Sequence, residues 1–445
     1  MSENKKTIGF VSLGCDKNRV DTENIITKLK NAGFDVVSNP DLAQIIIVNT
    51  CAFLQSAREE AFETILQMAQ FKHKNLEKLI VAGCVPLLND KKFESIMPEV
   101  DAFVKPVDYD NLPNIVAKLY KPKLKLQPLS NQIDSRILTT PSHYAYLKIA
   151  DGCDNYCTYC KIPYIRGRYY SIPMEQVIAE AQKLVDNGVK ELIVVAQDVT
   201  RYGEDLYKKP SLVPLLKKLS KIKGLQWIRL HYCYPERITD ELIEEIKTND
   251  KIVKYLDIPM QHYNTEILKW MNRKSSSKNI DILVSKLRTQ IPDIVIRSTF
   301  MVGFPGETKQ QFNELLGFLK QAKLDNVGFF AYSREEGTAA YKLENQIKLR
   351  TKIKRLKQAQ KVQSKIAKYN NKQKINKSFK VICDGYNEKD GVYFGRYYGS
   401  SPDVDFYIYF ISQKQINIGD FVDVIVTYAN KNYLFGEVLW IYLIV

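Results

Sequence analysis

Cys153, Cys157 and Cys160 follow a Cys-x3-Cys-x2-Cys spacing in the stretch "DGCDNYCTYC", residues 151–160. A structural zinc ion takes four tetrahedral ligands, usually as two close pairs, and this stretch offers three. A cubane iron–sulfur cluster has four irons, so three thiolates leave one iron open to a small molecule. No fourth cysteine lies nearby, and His143 is the only histidine within twenty residues. A zinc or disulfide site and three unrelated thiols stand as the alternatives. The chain has 8 cysteines in 445 residues, too sparse for a disulfide framework, and clustered thiols in a reducing cell interior read as metal ligands.

Cys15, Cys51 and Cys84 are separated by 35 and 32 residues, yet each falls just after a short apolar, β-branched run: "TIGFVSLGC", "AQIIIVNTC" and "KLIVAGC". Ligands of open α/β sheets sit in the crevice beyond the carboxyl ends of the strands, so three such thiols would meet there. The alternative is that they are ordinary buried core thiols. Cys233 and Cys383 have no companions and read as packing residues. Polar pairs also follow strand candidates further on: Gln197 and Asp198, His231 and Tyr232, Gln261 and His262, Arg297 and Ser298. A barrel rim of this kind would hold the amino-acid and ribose parts of a cofactor, and the competing role is to satisfy loop backbone groups. The string "GFPGET", residues 303–308, permits close backbone approach to a ligand, although such strings are also common turns.

The elements that must position these residues form three series. The first 120 residues alternate apolar runs with amphipathic stretches such as "DTENIITKLKNAG", "SAREEAFETILQMAQF" and "NDKKFESIM", which predicts a parallel sheet covered on both faces. Residues 121–142 are rich in Pro, Ser and Lys and read as a connection. Six strand candidates follow, "YAYLKIAD", "KELIVVAQD", "QWIRLHYC", "KYLDIPMQH", "IVIRSTFMVG" and "NVGFFAYS", with helical patterns between them. Six βα units fall short of the eight that close a barrel, so an open (β/α)6 partial barrel is expected. Ile353, Leu356, Ala359, Val362, Ile366 and Tyr369 then mark the apolar stripe of one helix. From Ser378 on, five short runs rich in Val, Tyr and Phe predict a small closed β-barrel of oligonucleotide-binding type.

With 45% hydrophobic residues the chain can bury several cores. The start lacks the apolar core of a signal peptide and the apolar end "WIYLIV" is too short to span a bilayer, so a cytoplasmic, membrane-free protein is expected. The net charge of +15 suggests an anionic partner. Between Asn345 and Ile375 stand eleven Lys or Arg and no Asp or Glu, either a solvated helix face or a contact for ribosomal or transfer RNA phosphates. From Asn376 to Val445 there are six basic and eight acidic residues, and the aromatic, acidic string "YYGSSPDVDFYIYF" favours a basic protein partner there.

On "CDNYCTYC" together with the three earlier cysteines and the small terminal barrel, the chain resembles the radical S-adenosylmethionine methylthiotransferases over nearly its whole length. Further strings, "SLGCDKNRVDTEN", "VVAQDVTRYGEDLY", "YSREEGTAAYKL" and "GRYYGSSPDVDFYIYF", resemble the branch that modifies a small-subunit ribosomal protein rather than the one that modifies an adenosine of transfer RNA. The resemblance implies an amino-terminal α/β domain (residues 1–125) carrying an auxiliary cluster, a linker (126–142), a radical S-adenosylmethionine partial barrel with the basic helix (143–375) and a barrel of the TRAM kind (376–445). It implies two [4Fe-4S] clusters, one on Cys153, Cys157 and Cys160, whose open iron chelates S-adenosylmethionine, and one on Cys15, Cys51 and Cys84, which carries the sulfur. The candidate cofactor contacts are Tyr159, just before the last cysteine, and Gln197, Asp198, Arg297 and Ser298 of the rim. A 5′-deoxyadenosyl radical would take hydrogen from the β-carbon of an aspartate, and the methylthio group would be joined there. An unactivated C–H bond offers no acidity to a side-chain base, which is why a cofactor must supply the radical. A flavodoxin or ferredoxin would supply electrons. Ile172, where the family often has arginine, and Pro86, two residues after Cys84, depart from the family pattern. Two other functions compete: the same chemistry on transfer RNA, and a non-enzymatic iron–sulfur carrier.

Overall fold

The computed structural model describes residues 5–88, 95–120, 124, 126 and 135–439. The chain divides into two compact units, one made of Met1–Thr140 with Gly152–Asp154 and Cys160–Arg168, the other of Pro141–Asp151 with Asn155–Tyr159 and Tyr169–Val445.

In the first unit β1 (Thr7–Ser12), β2 (Asp35–Val36), β3 (Ile45–Thr50), β4 (Lys78–Gly83) and β5 (Ala102–Val104) form one sheet in the order β2-β1-β3-β4-β5, every pairing parallel. The run "IIIVNT" of β3 is buried at all six positions because the sheet is covered twice. Side chains alternate across a strand. Ile45 and Ile47 therefore pack with Ile25 and Leu29 of helix α1 (Asp16–Asn31), while Ile46 and Val48 pack with Ala61 and Ile65 of helix α2 (Gln55–Ala69). Each fully buried aliphatic side chain contributes roughly 1.5–3 kcal/mol. Residues 89–94 of the helix expected at "NDKKFESIM" and residues 127–134 of the connection 126–142 lie outside the described residues.

In the second unit β6 (Tyr144–Lys148), β9 (Glu191–Val195), β10 (Trp227–Leu230), β11 (Ile252–Asp257), β12 (Val295–Val302) and β13 (Asn326–Ala331) form a six-stranded parallel sheet in the order β13-β12-β11-β10-β9-β6. Strand order follows chain order, as in a barrel, and β6 and β13 remain as edges, which is the open (β/α)6 arrangement expected from the sequence. "YAYLKIAD" splits into β6 and a two-residue strand β7 (Ala150–Asp151), which pairs antiparallel with β8 (Tyr170–Ser171) and closes the base of the loop bearing the cysteine triplet. The last strands, β14 (Ser378–Asn387), β15 (Val392–Tyr397), β16 (Ile408–Ile411), β17 (Phe421–Ala429) and β18 (Leu434–Val438), close a barrel in the order β14-β15-β16-β18-β17.

This barrel is fixed to the six-stranded sheet by buried charge. Glu191, fully buried, accepts from Arg229 Nε at 2.8 Å and also from Arg396 of the barrel. Arg396 in turn donates to Asp384 at 2.8 and 3.0 Å, and Asp384 lies 2.7 Å from His143 Nε2. The acidic string expected to face a basic partner is divided: Asp405 points into the sheet, while Asp403 and Val404 stay exposed. Asp405 is wholly enclosed and accepts from Tyr255 Oη at 2.8 Å and the Ser401 amide at 2.9 Å, with Arg297 Nε at 3.6 Å, while Asp403 accepts from Tyr146 Oη at 3.1 Å. Those inward-facing tyrosine hydroxyls and that guanidinium need partners once covered, and the string supplies them. Among the described residues no helix is long and apolar enough to cross a membrane.

Candidate cluster sites and cofactor rim

The earlier cysteine trio is brought together by strand order. Cys15 follows β1 by three residues, Cys51 directly follows β3 and Cys84 directly follows β4, and these three strands are neighbours in the sheet. All three thiols thus sit at the carboxyl edge, where α/β sheets place their ligands. Gly14 makes the approach possible. Its φ is +91°, and a Cβ there would lie 2.6 Å from Cys51 Cβ and 3.1 Å from Cys51 Sγ. Cys15 is exposed, Cys51 half-buried and Cys84 buried.

Burial pushes the Cys84 thiol up to about 12, with the charges of Cys51 and Cys15 adding to the rise and Arg166 opposing it. Burial likewise raises Cys51, again with Cys15 adding and Arg166 opposing. The three sulfurs therefore feel one another's charge, and ligation is what would draw off their protons. Arg166 comes from the segment just past the triplet. Its Nη1 donates to Asp21 at 2.7 Å and its Nη2 to Asn18 Oδ1 at 3.0 Å, both on α1. Ile165 beside it is buried in the same core as Ile46, Val48 and Val81. Pro86 lies buried in a short turn of 3-10 helix, Val85–Leu88.

Around the triplet, Cys153 and Cys157 are buried and Cys160 is half-buried. The Ile162 amide donates to Cys160 Sγ at 3.4 Å, and the Cys153 amide to the Gly167 carbonyl at 3.1 Å. Cys157 Sγ has Tyr234 Oη at 3.9 Å and Arg273 Nη1 at 4.0 Å. Arg273 lies over the Tyr234 ring, 4.0 Å from its centroid, and donates to the Pro259 carbonyl at 2.8 Å. Burial works against its charge, but Tyr234, Tyr159, Cys157 and Glu236 outweigh that and hold its pKa above the ordinary arginine value. An amide, a phenol and a permanent cation facing soft sulfur ligands suit anionic thiolates bound to iron. His143, bound to Asp384, is engaged elsewhere. Among the described residues no three His, Cys, Asp or Glu side chains are spaced to grip a single ion. One ion would need every sulfur about 2.3 Å away, whereas a four-iron cluster carries its ligands on separate corners.

The rim residues fall into distinct surroundings. Gln197 donates through Nε2 to Asp151 Oδ1 at 2.8 Å, while its Oε1 is buried with no partner among the described residues. Lys148 Nζ lies 3.1 Å from the other Asp151 oxygen. Asp198 is fully buried, caps the turn at Thr200 and accepts from Asn155 Nδ2 at 3.2 Å; burial raises its pKa despite the bonds from Thr200 and Asn155. Tyr159 packs, half-buried, beside Ile267, Met271, Phe304 and Tyr332. Arg297 pairs with Asp257 at 2.7 Å, and the Ser298 hydroxyl donates to the Ile258 carbonyl at 2.7 Å inside the sheet. Tyr232 and Gln261 hold left-handed backbone, φ 58° and 70°, just beyond β10 and β11. Such strain persists where the surroundings enforce it, often at functional sites. "GFPGET" turns out to be structural: a Cβ on Gly303 would meet Lys352 Cγ at 2.5 Å, one on Gly306 would meet the Trp270 ring at 2.8 Å, and Glu307 accepts from Arg355 at 2.7 Å and from the Gly303 amide at 2.6 Å. Sequence reasoning missed Arg166, Arg273, Tyr234 and Asn155. The two arginines were visible only as their place in "IPYIRG" and "WMNRKS", strings with no spacing signal of their own.

Three family models match the chain: the radical SAM superfamily at residues 147–319, the uncharacterized protein family UPF0004 at 7–105 and the TRAM domain at 375–439. Among solved structures, the radical S-adenosylmethionine methyltransferase TsrM of Kitasatospora setae shares the fold at a TM-score of 0.55 and 12% identity, covering 74% of this chain and 75% of that one. Fold and match together define a radical S-adenosylmethionine enzyme. Curated relatives carry the assignment further. The ribosomal protein uS12 methylthiotransferase RimO of Thermoanaerobacter sp. (strain X514) is 45% identical, over 97% of this chain and 100% of its own length. RimO of Caldanaerobacter subterraneus subsp. tengcongensis is 46% identical with the same coverage, and that of Clostridium novyi 44% over 98% of both. The chain belongs to the RimO family of ribosomal protein uS12 methylthiotransferases. It is an enzyme, a methylthiotransferase of the radical S-adenosylmethionine kind, and the cofactors of that family are S-adenosylmethionine and two [4Fe-4S] clusters.

Proposed function

We propose that this chain adds a methylthio group to the β-carbon of an aspartate in ribosomal protein uS12, with Cys153, Cys157 and Cys160 holding one [4Fe-4S] cluster and Cys15, Cys51 and Cys84 the other. Bound at the first cluster, S-adenosylmethionine supplies the radical that an unactivated C–H bond requires. The residues of the chain do the rest. Arg273 and Tyr234 hold Cys157 and balance its charge, and Arg166 does the same for Cys84. Gln197, with a buried acceptor still unpaired, is assigned to the cofactor's amino or hydroxyl groups, with Asp198, Tyr159, Arg297 and Ser298 shaping the rim. The partition into residues 1–125, 143–375 and 376–445 assigns the second cluster, the radical chemistry and the terminal barrel in turn, and the enzyme works in the cytoplasm with a flavodoxin or ferredoxin as electron donor.

The observation that carries this reading is the second trio. Cleaving S-adenosylmethionine needs one cluster, while delivering sulfur needs another, and Cys15, Cys51 and Cys84 stand at the ends of three adjacent strands. The test is iron content after anaerobic purification, native and with Cys153→Ala, Cys157→Ala and Cys160→Ala combined, where about eight irons should fall to about four. Mass spectrometry of uS12 after deletion of the gene should show the aspartate unmodified. Loss of methylthio from transfer RNA nucleosides instead would move the assignment to the sister branch.

A further inference from the structure

The helix Leu349–Lys372 carries a row of cations at Arg350, Lys354, Lys357, Lys361, Lys365 and Lys368, ending at Lys372. The steps are four, three, four, four, three and four. At about 100° per residue these seven positions fall within an arc of about 80°. All are exposed, and none makes an ion pair or side-chain hydrogen bond among the described residues. The opposite face is the buried one, through Lys352, Ala359, Gln363 and Ile366. Arg355, off the row, is the basic residue of this helix paired to a carboxylate, Glu307.

Like charges three or four residues apart weaken a helix by a few tenths of a kcal/mol per pair. Solubility alone is served by mixed signs, so an unrelieved row implies an anion outside the chain. The row spans about 33 Å. One strand of a nucleic-acid duplex passes a phosphate about every 3.4 Å of axis, enough to neutralise every member. No aromatic side chain lies in the row, so it has nothing to stack on bases and fits backbone phosphate rather than unpaired bases. A basic ribosomal protein would be repelled by it, whereas the RNA in which such a protein is seated would not.

We propose that this row is a docking track for the phosphate backbone of small-subunit ribosomal RNA, so that the enzyme meets uS12 in its RNA setting rather than as free protein. The inference rests on the substrate reading above. The test is the combined variant Lys354→Gln, Lys361→Gln, Lys365→Gln and Lys368→Gln, compared with the native enzyme on a uS12 peptide and on small ribosomal subunits between about 50 and 200 mM salt, the range over which phosphate contacts lose affinity steeply. Binding of the native enzyme to small-subunit RNA should fall with salt, and the variant should flatten the log–log slope by about 3, near 0.7–0.9 per contact removed. KM for subunits should rise at least about tenfold while kcat on the peptide stays the same. An unchanged slope, or equal kinetics on subunits, overturns the proposal, as does a variant whose only defect is slower reduction by an acidic electron-donor protein. Failure of the native enzyme to modify the peptide would instead sink the substrate reading.

Discussion

Arg166 donates to Asp21 at 2.7 Å across 145 positions of sequence, so a residue six past the last cysteine of the triplet is anchored on the first helix of the chain. Both side chains of the pair are enclosed, and Arg166 opposes the burial-driven rise of Cys84. Groups that orient and balance metal ligands typically carry a factor of 10–100 in metal affinity. Arg166→Gln should therefore bind iron at the earlier trio about 10–100-fold more weakly, measured by chelator competition in a protein lacking the triplet cysteines. Arg166→Lys should recover part of it. Native-like affinity in the glutamine variant would deny the role.

Gly14→Ala is expected to damage the same site by geometry alone. The φ of +91° strains any side chain, and the added Cβ would press on Cys51 at 2.6 Å. The triplet is untouched, so with dithionite and S-adenosylmethionine the variant should still release 5′-deoxyadenosine while methylthiolated product falls by at least about tenfold. Equal loss of both products would contradict the division of labour between the two trios.

Much of this was legible in the chain. The continuous apolar run in "IIIVNT" and the six βα units announced the sheets, since continuous β-branched runs survive only where both faces are covered. The position of the trio followed from strand ends and needed only the neighbouring order β1-β3-β4 to converge. What escaped was long-range: Arg166, Arg273 and the buried pairs Arg396–Glu191 and Arg297–Asp405 depend on contacts between distant segments, and a lone arginine has no period to read. The inward role of Asp405 in the acidic string escaped for the same reason. The string's charge was visible, but its partners, Tyr146, Tyr255 and Arg297, were not.

Arg273 should set the potential of the triplet's cluster. Reduction adds negative charge, and a buried cation 4.0 Å from Cys157 Sγ favours it. Arg273→Met should shift the one-electron equilibrium against reduction by about tenfold, or about 59 mV. Electron paramagnetic resonance at controlled potentials in a protein lacking Cys15, Cys51 and Cys84 measures this, with iron content confirming that the cluster is present. A midpoint unmoved at full iron content would leave Arg273 a packing residue.

The terminal barrel should detach from the sheet in acid before the sheet itself unfolds. Burial alone would raise Glu191, but Arg396 and Arg229 outweigh it and hold its carboxyl below the usual range; Asp384 is held down in the same way by Arg396 and His143. A carboxylate whose folded pKa is depressed contributes stability that is fully present above its unfolded value, about 4, and is lost as pH falls through the folded one. Docking should accordingly be insensitive to pH above about 5 and weaken progressively below about 4. Glu191→Gln removes the anion and leaves Arg229 and Arg396 facing each other without it, in a site where uncompensated buried charge costs about 3–5 kcal/mol. That variant should show a smaller acid transition, the part left to Asp384, and, already at pH 7, protease cleavage between residues 372 and 378, the junction of the basic helix and the barrel. A variant as protease-resistant as the native chain would mean that apolar contacts such as Trp227 on Phe421, with ring centroids 4.8 Å apart, hold the barrel by themselves.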